Sequence, residues 1–318
     1  MKAVRFLHTA DLHLGKVEEI FKDNTIERTR QVFQCFEDII ALAVEKNLDF
    51  VLIAGDLFNS NSVDTAIVEN VLRVIENAKL PVVISFGNHD PYNQSNPFFN
   101  RELPKNMHII GAEECCITLE EANCRIYGKS FVTTCDKGTG RLSFVPPMDK
   151  KLNILMLHAD THEQGLNYIS YDYMRNSRMN YIALGHVHKP SGLVKLNTVS
   201  YSYAGCPISQ GFDEAGYKTV NLVTLTQHDC NIKRYQIEKS MHVKKNINIT
   251  GYTSDEEIIK YIFENIKGSF GDNYKDNIYK ITLFGQKSSN INIENIKSAL
   301  QNELNHLKFV DGIKVEKS

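Results

Sequence analysis

Apolar positions fall along the first two hundred residues in two alternating rhythms. Short, largely apolar runs at 3–8, 50–54, 81–86, 152–157 and 181–184 read as strands, those at 50–54, 152–157 and 181–184 as buried ones. Between the first three runs, 27–45 and 63–77 carry apolar residues at helical spacing, and Ile67, Val71, Val74 and Ile75 share one side of the second. This order predicts βαβ units and a mainly parallel sheet core. The polar stretch before residue 181 bears Tyr168, Tyr171 and Tyr173 and suggests a short helix. Past residue 190 the rhythm changes, and 192–199, 218–225 and 232–237 look like antiparallel strands separated by turn residues.

Residues 91–110 are rich in Pro and Asn and too broken for a core element, so they predict a loop. Its Arg101, Lys105, Tyr92, Phe98 and Phe99 suit either a lip that contacts DNA or an ordinary solvated loop. From residue 240 onward the pattern is strand 245–250, helix 254–266, strand 277–284, helix 293–307 and strand 312–316, an α+β unit of its own. Ser254 followed by Glu257 resembles a capping box at its first helix. A chain of 318 residues exceeds one core of about 250 to 300. Two domains are expected, 1–239 and 240–318.

Composition narrows the class. No apolar run approaches the ~20 residues of a membrane span, and the charged start Met1-Lys2-Ala3-Val4-Arg5-Phe6 lacks a signal peptide's apolar stretch, which predicts a cytoplasmic protein without membrane contact. Seven cysteines, odd in number and without a Cys-x-x-Cys pair, read as reduced and mostly buried. The net charge of −2 gives no basic field over the whole molecule, so a nucleic-acid partner needs local patches or bound metal.

Chemistry gathers where the strands end. Asp11-Leu12-His13 follows the first, Gly55-Asp56 the second, Gly87-Asn88-His89-Asp90 the third, His158 the fourth and Gly185-His186-Val187-His188 the fifth. In a parallel sheet these termini lie along one edge, where open α/β folds bind ligands. Residues at i and i+2 of an extended segment point the same way, so Asp11 with His13 and His186 with His188 each offer two donors together. Gly55, Gly87 and Gly185 allow sharp turns at the tips. Imidazole nitrogens mixed with carboxylate and amide oxygens suit manganese, iron or zinc better than magnesium, and Asp56 has the two oxygens a bridge between two ions needs. A lone D-x-H pattern means little, but five of the eleven histidines stand at strand ends in this arrangement. His8, His108, His162, His228, His242 and His306 read as structural or exposed.

The order D-x-H, G-D, G-N-H-D, H, G-H-x-H resembles the calcineurin-like metallophosphoesterases. Within them, the runs from Phe6 to Gly15, Ala54 to Phe58 and Tyr181 to Lys189 are similar to SbcD-type DNA repair nucleases, including the YhaO-like branch. The resemblance implies a four-layer αββα sandwich with mixed sheets, followed by a small α+β capping domain. It implies one metal held by Asp11, His13, Asp56 and His188, and another held by Asp56, Asn88, His158 and His186. His89 then assists the leaving group, with Asp90 as a neighbour that orients it. The implied activity is manganese-dependent hydrolysis of DNA phosphodiester bonds in repair, exonucleolytic or endonucleolytic, by a homodimer that works with an SbcC-type, SMC-like ATPase. That ATPase docks on helices that follow the cap in the family, and this chain ends soon after the cap's last strand, as in a shortened or short member. Some relatives carry histidine three places after the bridging aspartate; Asn59 stands there, so no detail tied to that histidine is carried over.

Two rival classes remain. A phosphatase or cyclic-nucleotide phosphodiesterase of the same superfamily is one, although Gly55-Asp56-Leu57-Phe58-Asn59-Ser60-Asn61 lacks the second Asp and the Arg of G-D-x-x-D-R-G. The other is a non-catalytic scaffold that binds DNA or the ATPase, against which the full ligand set argues.

Overall fold

The computed structural model describes residues 3–17, 19–21, 25–136, 140–237 and 240–311. In chain order they form β1 (Val4–Thr9), α1 (Thr25–Glu45), β2 (Phe50–Ala54), α2 (Thr65–Ala78), β3 (Val82–Ser85), β4 (Met107–Ile109), β5 (Cys115–Leu119), β6 (Cys124–Gly128), β7 (Leu152–His158), α3 (Tyr171–Asn176), β8 (Tyr181–Gly185), β9 (Val194–Leu196), β10 (Val199–Tyr203), β11 (Thr219–Leu225) and β12 (Cys230–Gln236). There follow β13 (His242–Asn248), α4 (Asp255–Phe270), β14 (Ile278–Phe284), α5 (Ile293–Glu303) and β15 (His306–Asp311). Two compact units result. One holds the described residues of 1–17, 24–208 and 218–237, the other those of 18–23, 209–217 and 238–318.

The first unit has two six-stranded sheets, ordered β12-β11-β1-β2-β3-β4 and β5-β6-β7-β8-β10-β9. Each is parallel at its centre and antiparallel toward an edge: β11 and β12 close one end of the first sheet, while β5 and β9 flank the second. The expected mainly parallel core is therefore a pair of mixed sheets. Alternation along the strands sorts side chains into layers. Leu7, Val51, Ile53 and Ile84 face Val32, Phe36 and Ile39 of α1 and Val68, Val71 and Ile75 of α2. Phe6, Phe50, Leu52 and Val83 point the other way and meet Ile126, Ile154, Met156 and Tyr181 of the second sheet. Leu155, Leu157, Ile182 and Leu184 are covered by Leu142, Ile169 and Met174. Strands buried on both faces read as continuous apolar runs, which is why β1, β2, β3, β7 and β8 stand out in the sequence. Among the described residues the fourth layer has one helix of six residues, α3, and is otherwise irregular.

Four strands lie where the apolar pattern predicts none: β4, β5, β6 and β10. In β10, Ser200 and Ser202 alternate with Tyr201 and Tyr203, and all four are buried, so the strand interior looks polar. Parallel pairing with β8 holds it in place. The loop after β3 is more ordered than its composition suggests. Phe98 is buried against Phe58 and Phe86, and Tyr92 stacks on Phe86 with ring centroids 5.3 Å apart. Phe98 is core, which removes it from a DNA-contacting lip, while Tyr92 is half-buried against that core; Arg101 pairs with Glu69.

In the second unit β13, β14 and β15 form a parallel sheet whose apolar residues pack on α4 and α5. Ser254 and Glu257 close the capping box at the start of α4. Helix α5 stops at Glu303, short of the expected 307, because Leu304 turns to extended dihedrals and buries its side chain. The third strand begins at His306, and the strand expected at 312–316 lies outside the described residues. Of the seven cysteines, Cys35, Cys124, Cys206 and Cys230 are buried, while Cys116 and Cys135 are exposed. Among the described residues no helix is long and apolar enough to cross a membrane.

Candidate metal centre

The site forms where the C-terminal ends of β1, β2 and β3 meet those of β7 and β8. The expectation of a single sheet edge is corrected accordingly: Asp11, His13, Asp56, Asn88 and His89 follow strands of one sheet, and His158, His186 and His188 belong to or follow strands of the other. Backbone bonds lock the tips together, Asp11 N–H to the Gly55 carbonyl at 3.1 Å and His13 N–H to the Asp56 carbonyl at 3.0 Å. Asp11, His13, Asp56 and His186 have φ of 55°, 49°, 51° and 93°. Left-handed backbone costs about 1–3 kcal/mol at each such residue and persists where surrounding structure enforces it.

The side chains converge. His13 Nε2 lies 3.2 Å from His188 Nε2 and 3.7 Å from an Asp56 oxygen, and His188 Nε2 is 3.9 Å from Asp11. His158 Nε2 lies 3.3 Å from Asp56 and 3.1 Å from Asn88 Oδ1. His158 and His186 rings are 5.0 Å apart, and His13 and His89 rings 4.7 Å apart. Asp11, His13, Asp56 and His158 are buried; Asn88, His186 and His188 are half-buried; His89 is exposed. Ligand-capable atoms of Asp11, His13 and His188 lie within 4.8 Å of one another, as do those of Asp11, Asp56 and His158. Thus all seven expected ligand residues and His89 come to one place.

Backbone groups, which sequence motifs do not display, set their orientations. His158 Nδ1 stands 3.0 Å from the Ala54 carbonyl, which turns Nε2 toward Asp56. The His89 N–H donates to Asp56 at 2.9 Å, and the His186 N–H to both oxygens of Asp11 at 3.1 and 3.2 Å. Gly55 does need its φ of 88°, but Gly87 and Gly185 are glycine for space rather than for turning. A Cβ at Gly87 would strike Asp56 Oδ1 and His158, and one at Gly185 would strike the Ala54 carbonyl.

Asp90 departs from expectation. Its carboxylate is buried and accepts the N–H groups of Gly87 at 2.8 Å and Phe58 at 3.0 Å, so it fastens two loops instead of orienting His89. His89 Nδ1 contacts the Asn59 carbonyl at 3.2 Å. His8 is a core residue: it sits 2.9 Å from the Tyr181 hydroxyl, and burial pushes its pKa down to about 3.

The electrostatics favour cations. Burial opposes charge on Asp56, yet His158 and His13 hold its carboxyl below the usual range. Burial raises Asp11 to about 6, with His158 countering. Burial lowers His13 to about 3 and His186 to about 4, so both are neutral donors at pH 7. His158 goes the other way: burial disfavours its charge, but Asp56 beside it raises it to about 9. Burial lifts Asp90 to about 7. Among the described residues the ion pairs of Asp11 and Asp56 are all with histidines, with no Lys or Arg. Two desolvated carboxylates facing imidazole nitrogens fit bound divalent cations, which compensate buried negative charge.

The calcineurin-like phosphoesterase family matches residues 4–190, more than half of the chain, and the chain belongs to that family. It is similar to the uncharacterized metallophosphoesterase YhaO of Bacillus subtilis, 25% identical over 261 residues, covering 77% of this chain and 63% of the relative. It is also similar to the DNA double-strand break repair protein Mre11 of Saccharolobus solfataricus, 24% identical over 213 residues, covering 64% of this chain and 54% of the relative. A third similar protein, the D component of the nuclease SbcCD of Bacillus subtilis, is 22% identical over 275 residues, 69% of this chain and 66% of the relative. The chain thus spans between about half and two thirds of the length of these relatives.

Proposed function

We propose that the chain is a two-metal phosphodiesterase that hydrolyses DNA. The observation that carries this reading is the meeting of Asp56, Asp11 and four imidazoles from two facing sheets, where the described residues pair no Lys or Arg with either carboxylate. Asp11, His13, Asp56 and His188 would hold one ion, and Asp56, Asn88, His158 and His186 the other, with manganese the ion best suited to this nitrogen and oxygen mixture. Such a pair supplies Lewis acidity, which neutralises charge on phosphoryl oxygens and makes water a nucleophile at neutral pH. The chain's own contribution is positioning and proton transfer. Asp56 is fixed by the His89 N–H, Asp11 by the His186 N–H and His158 by the Ala54 carbonyl, so the donors are set before substrate arrives. His89, exposed and held at Nδ1 by Asn59, presents Nε2 for hydrogen bonding or proton donation to the leaving oxygen.

DNA as substrate is supported by the likeness to a DNA double-strand break repair protein and to part of a nuclease. A homodimer, an SMC-like ATPase partner and a capping role for the second unit are proposed from the same likeness. The test is hydrolysis of end-labelled duplex and single-stranded DNA, cyclic dinucleotides and phosphopeptides with manganese. Cleavage of DNA alone supports the nuclease; turnover only of the small substrates, or none, refutes it.

A further inference from the structure

The second unit's sheet has two unlike faces. Val243, Ile247, Tyr279, Ile281 and Leu283 point into the core with α4 and α5. Residues of the other parity lie on the opposite face. Strand register places them in rows: His242–Ile278–His306, then Lys244–Lys280–Lys308, then Asn246–Thr282, then Asn248–Phe284. The first row is covered, with Phe212 packed on His242 and Phe21 on His306 at ring distances of 5.0 and 4.8 Å. Beyond it the face is open. Lys244, Lys308, Asn246 and Asn248 are exposed, and Phe284 is 42% exposed.

Three lysines side by side on adjacent strands, about 4.8 Å apart, repel one another and cost stability. None of the three has an ion pair or hydrogen bond among the described residues. Other lysines of this unit are engaged: Lys245 with Asn265 at 2.7 Å, Lys275 with Glu303 at 3.2 Å and Lys287 with the Ile291 carbonyl at 2.8 Å. A lysine on an edge strand guards against edge pairing, but Lys280 lies on the central strand, where no edge needs guarding. Four residues along β14, roughly 13 Å away, Phe284 offers an open ring beyond a row of hydrogen-bonding groups.

We propose that this open sheet face binds single-stranded nucleic acid, with phosphates along Lys244–Lys280–Lys308 and an unpaired base on Phe284. Lysines in a row match a repeating anion, and a solvent-facing ring stacks only on a base that is not already stacked in a duplex. An acidic protein segment matches the lysines but gives Phe284 nothing to stack on. The proposal deepens the phosphodiesterase reading and rests on it for the choice of probe.

Anisotropy of fluorescein-labelled dT15, titrated with the full chain in EDTA, reads binding without cleavage. The wild type is expected to prefer dT15 to a duplex of equal length. The Lys244→Gln/Lys280→Gln/Lys308→Gln variant should weaken binding at least about tenfold and flatten the log–log salt slope by about 2. Phe284→Ala should weaken dT15 binding about tenfold yet leave an abasic 15-mer unaffected. Circular dichroism verifies folding, and Lys280→Gln alone, with a smaller loss in the same direction, keeps the test open should the triple variant unfold. Wild-type affinity in the lysine variants, equal affinity for duplex, or stronger competition by poly-glutamate than by unlabelled dT15 overturns the proposal. Hydrolysis of bis(p-nitrophenyl) phosphate with manganese, expected at the wild-type rate in the triple variant, reports on the phosphodiesterase reading separately.

Discussion

Asp56 and His89 are joined by a hydrogen bond from the His89 N–H to the Asp56 carboxylate and differ sharply in exposure, and that difference separates their roles. Asp56 is buried among His13 and His158, so Asp56→Asn removes the charge that both proposed ligand sets would share; metal content, measured by plasma mass spectrometry, should drop toward zero together with activity. His89→Ala leaves the buried donors in place. It should retain metal and lose roughly 10²–10⁴-fold in kcat, the usual contribution of a positioned acid or base; near-wild-type kcat would remove the role assigned to it. Titration adds a third test. The folded-state pKa of His158, raised to about 9 by Asp56, means the ion pair stabilises the metal-free chain below the unfolded value near ~6.5 and is lost as pH rises through 9. Metal uptake must displace that proton, so metal affinity should tighten by up to about tenfold per pH unit between pH 7 and 9, with proton release visible by calorimetry in two buffers. Affinity independent of pH in that window contradicts the assignment of His158.

At the scale of elements, the strands that deliver ligands are the ones legible in the sequence, because burial on both faces makes β1, β2, β3, β7 and β8 continuous apolar runs that stop at Asp, Asn or His. What the sequence conceals is that the strands divide between two sheets: β10 is polar in composition, β4 has only three residues, β5 alternates half-buried with exposed positions and β6 carries Arg125, so nothing in the pattern distinguishes one sheet edge from two facing sheets. The orienting carbonyls of Ala54 and Asn59 are equally invisible, since any residue carries a carbonyl. The glycines are visible but their reasons are not. Gly87→Ala forces a methyl group onto Asp56 and His158 and should cost about 1–3 kcal/mol in denaturant unfolding as well as metal retention. Phe98, at first sight a loop aromatic, is 1% exposed and packs on Phe58 and Phe86. Phe98→Ala should therefore destabilise by about 3–5 kcal/mol, whereas a solvated or DNA-stacking ring would lose almost nothing.

For the whole molecule, each of the two facing sheets brings donors that the other lacks, so divalent cations held as proposed would tie the sheets of the first unit together. Ligands that bind only the folded state stabilise it by about 2.7 kcal/mol at a hundredfold excess over Kd, so saturating manganese should raise Tm by roughly 5 °C or more relative to EDTA. The central claim, that these side chains bracket a pair of divalent ions, is tested most directly by anomalous diffraction from crystals grown with manganese. The account predicts two peaks roughly 3.5–4 Å apart with Asp56 between them, one beside His13 and His188 and the other beside His158 and His186. A single peak, or density away from Asp56, would contradict it.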